Sequence, residues 1–198
     1  MARVLLALGQ KMPAVEVMQQ AQYRLQELRE RSGNIQPIIA LAVDYGVRFW
    51  LAQGDFFTAE HWLDEMDVSI QDEIKSEKLA SYLLLARLYL AQNRLGETEG
   101  LLERIDTMKD AAMAVRPVIE CHILQAMLYQ AQGEQQRALD LVSEALLLAE
   151  PEGFIRLFVD EGQPMVNLLQ AAARQRINFF LQNIPIWVMT CIPFIPML

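Results

Sequence analysis

Four arginines in this sequence share a position relative to a residue that favours a tight turn. Each stands six residues before a glycine or an asparagine. A guanidinium group carries a planar fork of N–H donors, which pairs with a carboxylate or a phosphate through two hydrogen bonds. A column of such groups would bind an anionic small molecule or an acidic peptide. The arginines are Arg3, Arg48, Arg87 and Arg156, and the turn residues that follow them are Gly9, Gly54, Asn93 and Gly162.

Polar residues are expected to lie close to this arginine column, namely Asp44, Glu120 and Gln130. Met127 interrupts the column, because it stands six residues before Gly133. A second interpretation needs no ligand. Asp44 and Arg48 are four residues apart, so they would face each other on a helix as an intramolecular ion pair. The sequence leaves both interpretations open.

Residues that usually carry catalysis are sparse. The two histidines are His61 and His122, and Cys121 is adjacent to His122, so these two side chains would diverge on a helix. A zinc site needs three or four converging ligands, and neither G-x-x-x-x-G-K-[ST] nor G-x-S-x-G occurs. Carboxylate pairs such as Asp160–Glu161 stand beside turns and indicate solvated faces or helix-end charges. The sequence predicts no enzyme, no catalytic residue, no metal site and no cofactor.

The charge balance argues against direct binding of nucleic acid. The chain has 17 Lys and Arg against 25 Asp and Glu, a net charge of −8, whereas phosphate neutralisation needs clustered cations. The two cysteines, Cys121 and Cys191, are far apart in the sequence and form no disulfide framework. A reducing, cytoplasmic location is therefore predicted.

Helical periodicity dominates the chain, and three segments repeat one another. Each contains a Gly or Asn turn residue, with an aromatic residue four positions before that turn residue and a small residue five positions after it. The turn residue ends one helix in a left-handed conformation, and the small residue lets the next helix approach closely. The sequence predicts an all-α fold, a tetratricopeptide-like α-solenoid of stacked helical hairpins whose concave groove contains the arginine column. The three sets are Trp50, Gly54, Ala59; Tyr89, Asn93, Thr98; and Tyr129, Gly133, Ala138.

Both ends of the repeat region follow the same register less strictly. Near the N-terminus, Leu5 replaces the aromatic residue before Gly9. Near the C-terminus, Phe158 precedes Gly162, but Asn167 stands where a small apolar residue is expected. Four hairpins and a short fifth are predicted.

The stretch "ALLLAEPEGFIRLFVDEGQPMVNLL", from Ala145 to Leu169, resembles the large ATP-dependent LuxR-type transcriptional activators related to the maltose regulator MalT. In that family a run of the form A-x-x-L-A-E-P-E-G-[FY]-I-R-x-F-x-D-E-G-x-P-M closes the helical repeat region. The resemblance implies a sensor region that binds a protein or a small-molecule inducer and adjoins an ATPase and a DNA-binding domain.

The chain departs from that family at both ends. It has no phosphate loop, and no DNA-reading helix follows Gln175. We therefore expect a truncated sensor and interaction fragment of such a regulator, without ATPase or DNA-binding activity of its own. The alternative is a free-standing tetratricopeptide-like scaffold that binds a peptide or protein partner.

The chain consists of two segments that differ in amino-acid composition. Residues 1–176 are predicted to form the MalT-like repeat region, and 177–198 to form an apolar tail outside it. The tail carries no charge, but its prolines at 185, 193 and 196 argue against a membrane-spanning helix.

Overall fold

Helices supply the regular structure of the described residues. The computed structural model describes Ala2, Leu5 and residues 8–31, 36–108 and 114–174, and no β-strand occurs among them. The prediction of an all-α helical-repeat fold is confirmed. The α-helices are α1 (Lys11–Arg31), α2 (Gln36–Ala52), α3 (Phe56–Asp64), α4 (Leu79–Ala91), α5 (Leu95–Asp106), α6 (Val115–Gln132), α7 (Gln135–Ala149), α8 (Arg156–Val159) and α9 (Gln163–Arg174), with a 3₁₀ turn at Ser76–Lys78.

The chain divides into two compact units, the first ending at Val68 and the second beginning at Ser69. In the first unit, α1 and α3 both pack on α2. In the second unit, α4 packs on α5 and α6 on α7, while α9 packs on α6, α7 and α8. The predicted tail, 177–198, lies outside the described residues, and the predicted boundary at residue 176 stays a prediction.

All five predicted turn residues adopt the left-handed conformation. The φ angle is +60° at Asn93, and this geometry favours glycine or asparagine at the end of a helix. The register of hairpins read from the sequence is therefore confirmed at each turn. The four glycines have φ of +73° at Gly9, +72° at Gly54, +84° at Gly133 and +73° at Gly162.

Four of these turns share one backbone hydrogen bond. The residue after the turn donates its N–H to the carbonyl at the aromatic position, five residues earlier, as in a Schellman motif. Because the bond uses only backbone atoms, it forms at Leu5 as it does at the aromatic residues. The bonds join Gln10 to Leu5 at 2.8 Å, Asp55 to Trp50 at 3.0 Å, Arg94 to Tyr89 at 2.9 Å, and Glu134 to Tyr129 at 2.8 Å.

The small residues of the repeat are buried at the start of the second helix in four hairpins. Ala59, Thr98 and Ala138 are fully buried, and so is Ala14 at the equivalent position of α1. Trp50, Tyr89 and Phe158 are buried at the aromatic position of their hairpins. Tyr129 is only half-buried and lies at the edge of the core formed by α6 to α9.

The fifth hairpin has a shifted register. In the other hairpins the second helix begins two residues after the turn residue, whereas α9 begins at Gln163, directly after Gly162. The buried stripe of α9 correspondingly starts at Met165, and Asn167 is exposed and accepts a hydrogen bond from Gln163. This shift explains why a polar residue stands where the sequence register calls for a small apolar one.

Candidate functional site

The arginine column is distributed over three described helices. Arg48 lies on α2 of the first unit, while Arg87 on α4 and Arg156 at the start of α8 belong to the second unit. Arg3 lies outside the described residues. The polar residues predicted to accompany the column are Asp44 on α2 and Glu120 and Gln130 on α6.

In the first unit, Arg48 pairs within its own helix. Its Nε donates to Asp44 Oδ1 at 2.9 Å, one helical turn away. The arginine and aspartate side chains are 15% and 26% exposed. The i, i+4 ion pair expected as the alternative to a ligand site is therefore present here.

In the second unit, Arg87 pairs with a residue distant in sequence. Its Nε donates to Glu161 Oε2 at 3.2 Å and its Nη2 donates to Glu161 Oε1 at 2.5 Å. This is the two-pronged geometry by which arginine binds a carboxylate. The two side chains are only 8% and 5% exposed, so the pair is almost fully removed from water.

A second carboxylate extends this pair into a network of four charged residues. Glu120 Oε2 lies 3.8 Å from Arg87 Nη2, and Glu120 Oε1 accepts a hydrogen bond of 2.9 Å from Arg116 Nε. Arg87, Glu120 and Glu161 are enclosed, whereas the Arg116 side chain is 55% exposed and supplies the second positive charge from the solvent side. We call these four residues the buried charge network after its enclosed members; it links α4, α6 and the junction of α8 and α9.

One nitrogen of this network has no acceptor. Arg87 Nη1 is buried and makes no hydrogen bond. A buried donor without a partner costs free energy. The guanidinium group can therefore take one further acceptor.

Arg156 has a different environment. Its side chain is 75% exposed, and its Nη2 lies 3.2 Å from Asp160 Oδ1. Exposed pairs of this kind are weak and exchange readily with water and ions. Arg156 is thus accessible to a ligand in solution, whereas Arg87 is enclosed.

The sequence interpretation of Asp160–Glu161 as solvated or helix-end carboxylates is wrong for Glu161. Glu161 is enclosed and accepts hydrogen bonds from Arg87, a residue 74 positions earlier. Local periodicity holds no signal for a pair so far apart in sequence. The signal that was present is the placement of Glu161 directly before the turn glycine of a hairpin that packs on α6 and α7.

The MalT-like TPR region family, whose name abbreviates the tetratricopeptide repeat, matches residues 1–176. The chain belongs to this family. Searches of curated proteins and of solved structures returned no significant match. The family match extends over the first unit and the described residues of the second, and it includes the buried charge network.

Within the described part of this MalT-like TPR chain, no three or more His, Cys, Asp or Glu residues lie close enough together to hold a metal ion. In the same residues, none of the helices combines the length and apolar character needed to cross a membrane.

Proposed function

We propose that the chain is the sensor and protein-interaction repeat region of a LuxR-family, MalT-like bacterial transcriptional regulator. The observation that carries this proposal is the family match over residues 1–176. In the intact regulator an ATPase and a DNA-binding domain would adjoin it. On its own the chain acts in the cytoplasm as a non-catalytic module, without ATP hydrolysis or sequence-specific DNA binding.

The inducer or partner binds through the arginines at the shared repeat position. In the second unit these are Arg87 and the exposed Arg156, with Glu120 and Gln130 on the neighbouring α6. In the first unit Arg48, with Asp44 one helical turn before it, stands at the same position of the sequence repeat, and so does Arg3. Guanidinium groups favour a ligand or partner that bears carboxylates or phosphates.

A binding experiment on the full chain tests this proposal. A fluorescent hexaglutamate peptide and inorganic phosphate serve as probes, titrated at low and at physiological salt. Arg156→Ala is expected to weaken peptide binding severalfold, because Arg156 is the most exposed of the described arginines of the column. Arg174→Ala is the matched control, since Arg174 is also exposed but lies on α9 outside the column. Equal losses in both variants would mean non-specific attraction and would reject the site.

A second experiment tests the non-catalytic part of the proposal. Purified chain is expected to give no ATP turnover above buffer and no shift of a promoter fragment in an electrophoretic assay. Sequencing the DNA on both sides of the coding region separates a regulator module from a free-standing scaffold. A phosphate-loop ATPase or a LuxR-type helix-turn-helix there favours the regulator.

A further inference from the structure

We propose that Glu161 is an internal occupant of an anion site on Arg87, and that a carboxylate ligand which replaces Glu161 releases the final hairpin, α8–α9, from α4. The occupancy follows from the geometry alone. Only the identity of the competing ligand, a carboxylate-bearing inducer or partner, rests on the proposed function.

The contact between Glu161 and Arg87 has the form of a bound ligand. Two parallel N–H···O bonds join the carboxylate to the guanidinium group, at 3.2 and 2.5 Å. Both side chains are more than nine-tenths buried. An arginine at the column position thus already holds the chemical group that the column is suited to bind.

The arginine is not saturated by this internal carboxylate. Glu161 occupies the edge formed by Nε and Nη2, whereas the buried Nη1 has no hydrogen-bond partner. An incoming carboxylate on the edge formed by Nη1 and Nη2 would use the donor that Glu161 leaves idle and would bring a third negative charge next to Glu161 and Glu120. Repulsion between these carboxylates favours the departure of Glu161. The ligand gains a hydrogen bond that the resting state lacks.

Glu120 makes the exchange of carboxylates less costly. It lies 3.8 Å from Arg87 Nη2 and also pairs with Arg116. When Glu161 leaves, Arg87 still has a nearby negative charge and is not left as an isolated buried cation, which would be strongly unfavourable.

The final hairpin is the element that this exchange would free. Its apolar side chains, among them Leu157, Phe158 and Met165, pack in one core with α6 and α7. Glu161 adds a polar link from this hairpin to Arg87 on α4. Loss of the link leaves the apolar core in place and changes only how the hairpin is held against α4.

Chemical rescue of Glu161→Ala tests this inference in the full chain. Hydrogen exchange of the α8–α9 amides is measured in sodium chloride and in sodium acetate of equal ionic strength. In chloride the variant is expected to exchange roughly tenfold faster or more, since a buried pair has lost one partner. Acetate is expected to slow this exchange saturably towards the wild-type rate. In the wild-type protein acetate has to displace Glu161, so it is expected to accelerate exchange of the same amides, and no acceleration at the highest acetate concentration would overturn the release.

Two controls identify the site of rescue. The double variant Arg87→Met/Glu161→Ala is expected to show no response to acetate, because the guanidinium group is gone. Asp160→Ala, which removes the neighbouring carboxylate paired with exposed Arg156, is expected to show no slowing of exchange in acetate. A response equal to that of Glu161→Ala in either control overturns the inference.

The remaining outcomes are also decisive. Unchanged exchange in Glu161→Ala, or accelerated exchange that acetate does not slow, shows a purely structural ion pair. If Glu161→Ala does not fold in chloride, recovery of its helical circular dichroism in acetate is expected, and failure to recover overturns the inference. Failure of hexaglutamate to bind the wild-type chain counts against the proposed function alone, because the acetate response does not depend on it.

Discussion

The same repeat position gives two different ion pairs in the two units. Arg48 in the first unit pairs with Asp44 on its own helix, partly in contact with water. Arg87 in the second unit pairs with Glu161, which lies 74 residues further along the chain and is enclosed. The shared sequence position therefore determines where each arginine lies on its helix. Whether its ion pair is local or tertiary depends on whether the carboxylate comes from the same helix or from a distant part of the chain.

The two units also differ in what brings their helices together. In the first unit, Gly46 on α2 faces the ring of Trp62 on α3, and a Cβ atom at Gly46 would lie 2.2 Å from the ring carbon Cε3. In the second unit, α6 to α9 share one apolar core, and the buried charge network adds a link to α4. Both units bury apolar side chains, but the first adds a close helix approach at Gly46 and the second adds a long-range ion pair.

The largest expected effect comes from Arg87→Ala. This change leaves Glu161 buried without its main cation, so the free energy of unfolding is expected to fall by about 3–5 kcal/mol. Urea denaturation followed by circular dichroism measures it. The double variant Arg87→Met/Glu161→Leu removes both charges, and its stability is expected to lie much closer to that of the wild type. If the single variant loses less than about 1 kcal/mol, the pair is no stronger than a surface pair and the comparison between the units fails.

A smaller effect is expected from Gly46→Ala. The new Cβ would overlap the Trp62 ring, and overpacking of this kind typically costs about 1–3 kcal/mol. Gly100→Ala on α5 is the matched control, because a Cβ at that helical glycine has no neighbour within 4 Å. Removing a glycine from a helix interior there should stabilise by about 0.5–1 kcal/mol. Opposite signs in the two urea midpoints would confirm that the first unit depends on its close helix approach.

The sequence predicted the hairpin register because each turn needs a residue that tolerates positive φ. Gly54, Asn93 and Gly133 all show this conformation. The close approach of α2 and α3 at Gly46 was not predicted, since nothing in the repeat pattern marks that glycine as facing Trp62. The division at Val68 was also invisible. The spacing from Gly54 to Asn93, 39 residues, nearly equals the next spacing, 40, although only the first includes the break.

Of the candidate site, the arginine positions and the Asp44–Arg48 pair were predictable from helical spacing. Glu161 as the partner of Arg87 was not, because contact between residues 74 positions apart depends on how the hairpins stack. Arg156 follows the column in sequence, but its exposure could not be anticipated, because it begins a helix of only four residues.

A pH-dependent effect is expected at Tyr82 in the second unit. Burial raises the pKa of the Tyr82 hydroxyl above 10.0, and nearby Asp72 adds to the shift. The folded chain then holds the phenolic proton more tightly than the unfolded chain does. The contribution of Tyr82 to the free energy of unfolding is therefore fully present below pH 10 and is lost as the pH rises through the folded pKa. Unfolding by urea between pH 9 and 11, compared with Tyr82→Phe, measures this. The phenylalanine variant should lose the Tyr82 contribution to the slope; an unchanged slope would mean that Tyr82 is not the titrating group.

The smallest effect is expected from Arg48→Ala, and it sharpens the comparison with Arg87. Arg48 and Asp44 lie one helical turn apart and keep partial access to water, so loss of the arginine leaves an aspartate that water can still solvate. Helix pairs of this spacing contribute about 0.3–0.5 kcal/mol. Urea unfolding at low salt should detect a loss of this size, and it should shrink at high salt because exposed charges are screened. A loss as large as that of Arg87→Ala, insensitive to salt, would show that the two arginines share one environment. The difference between the units would then lie in their helix packing alone.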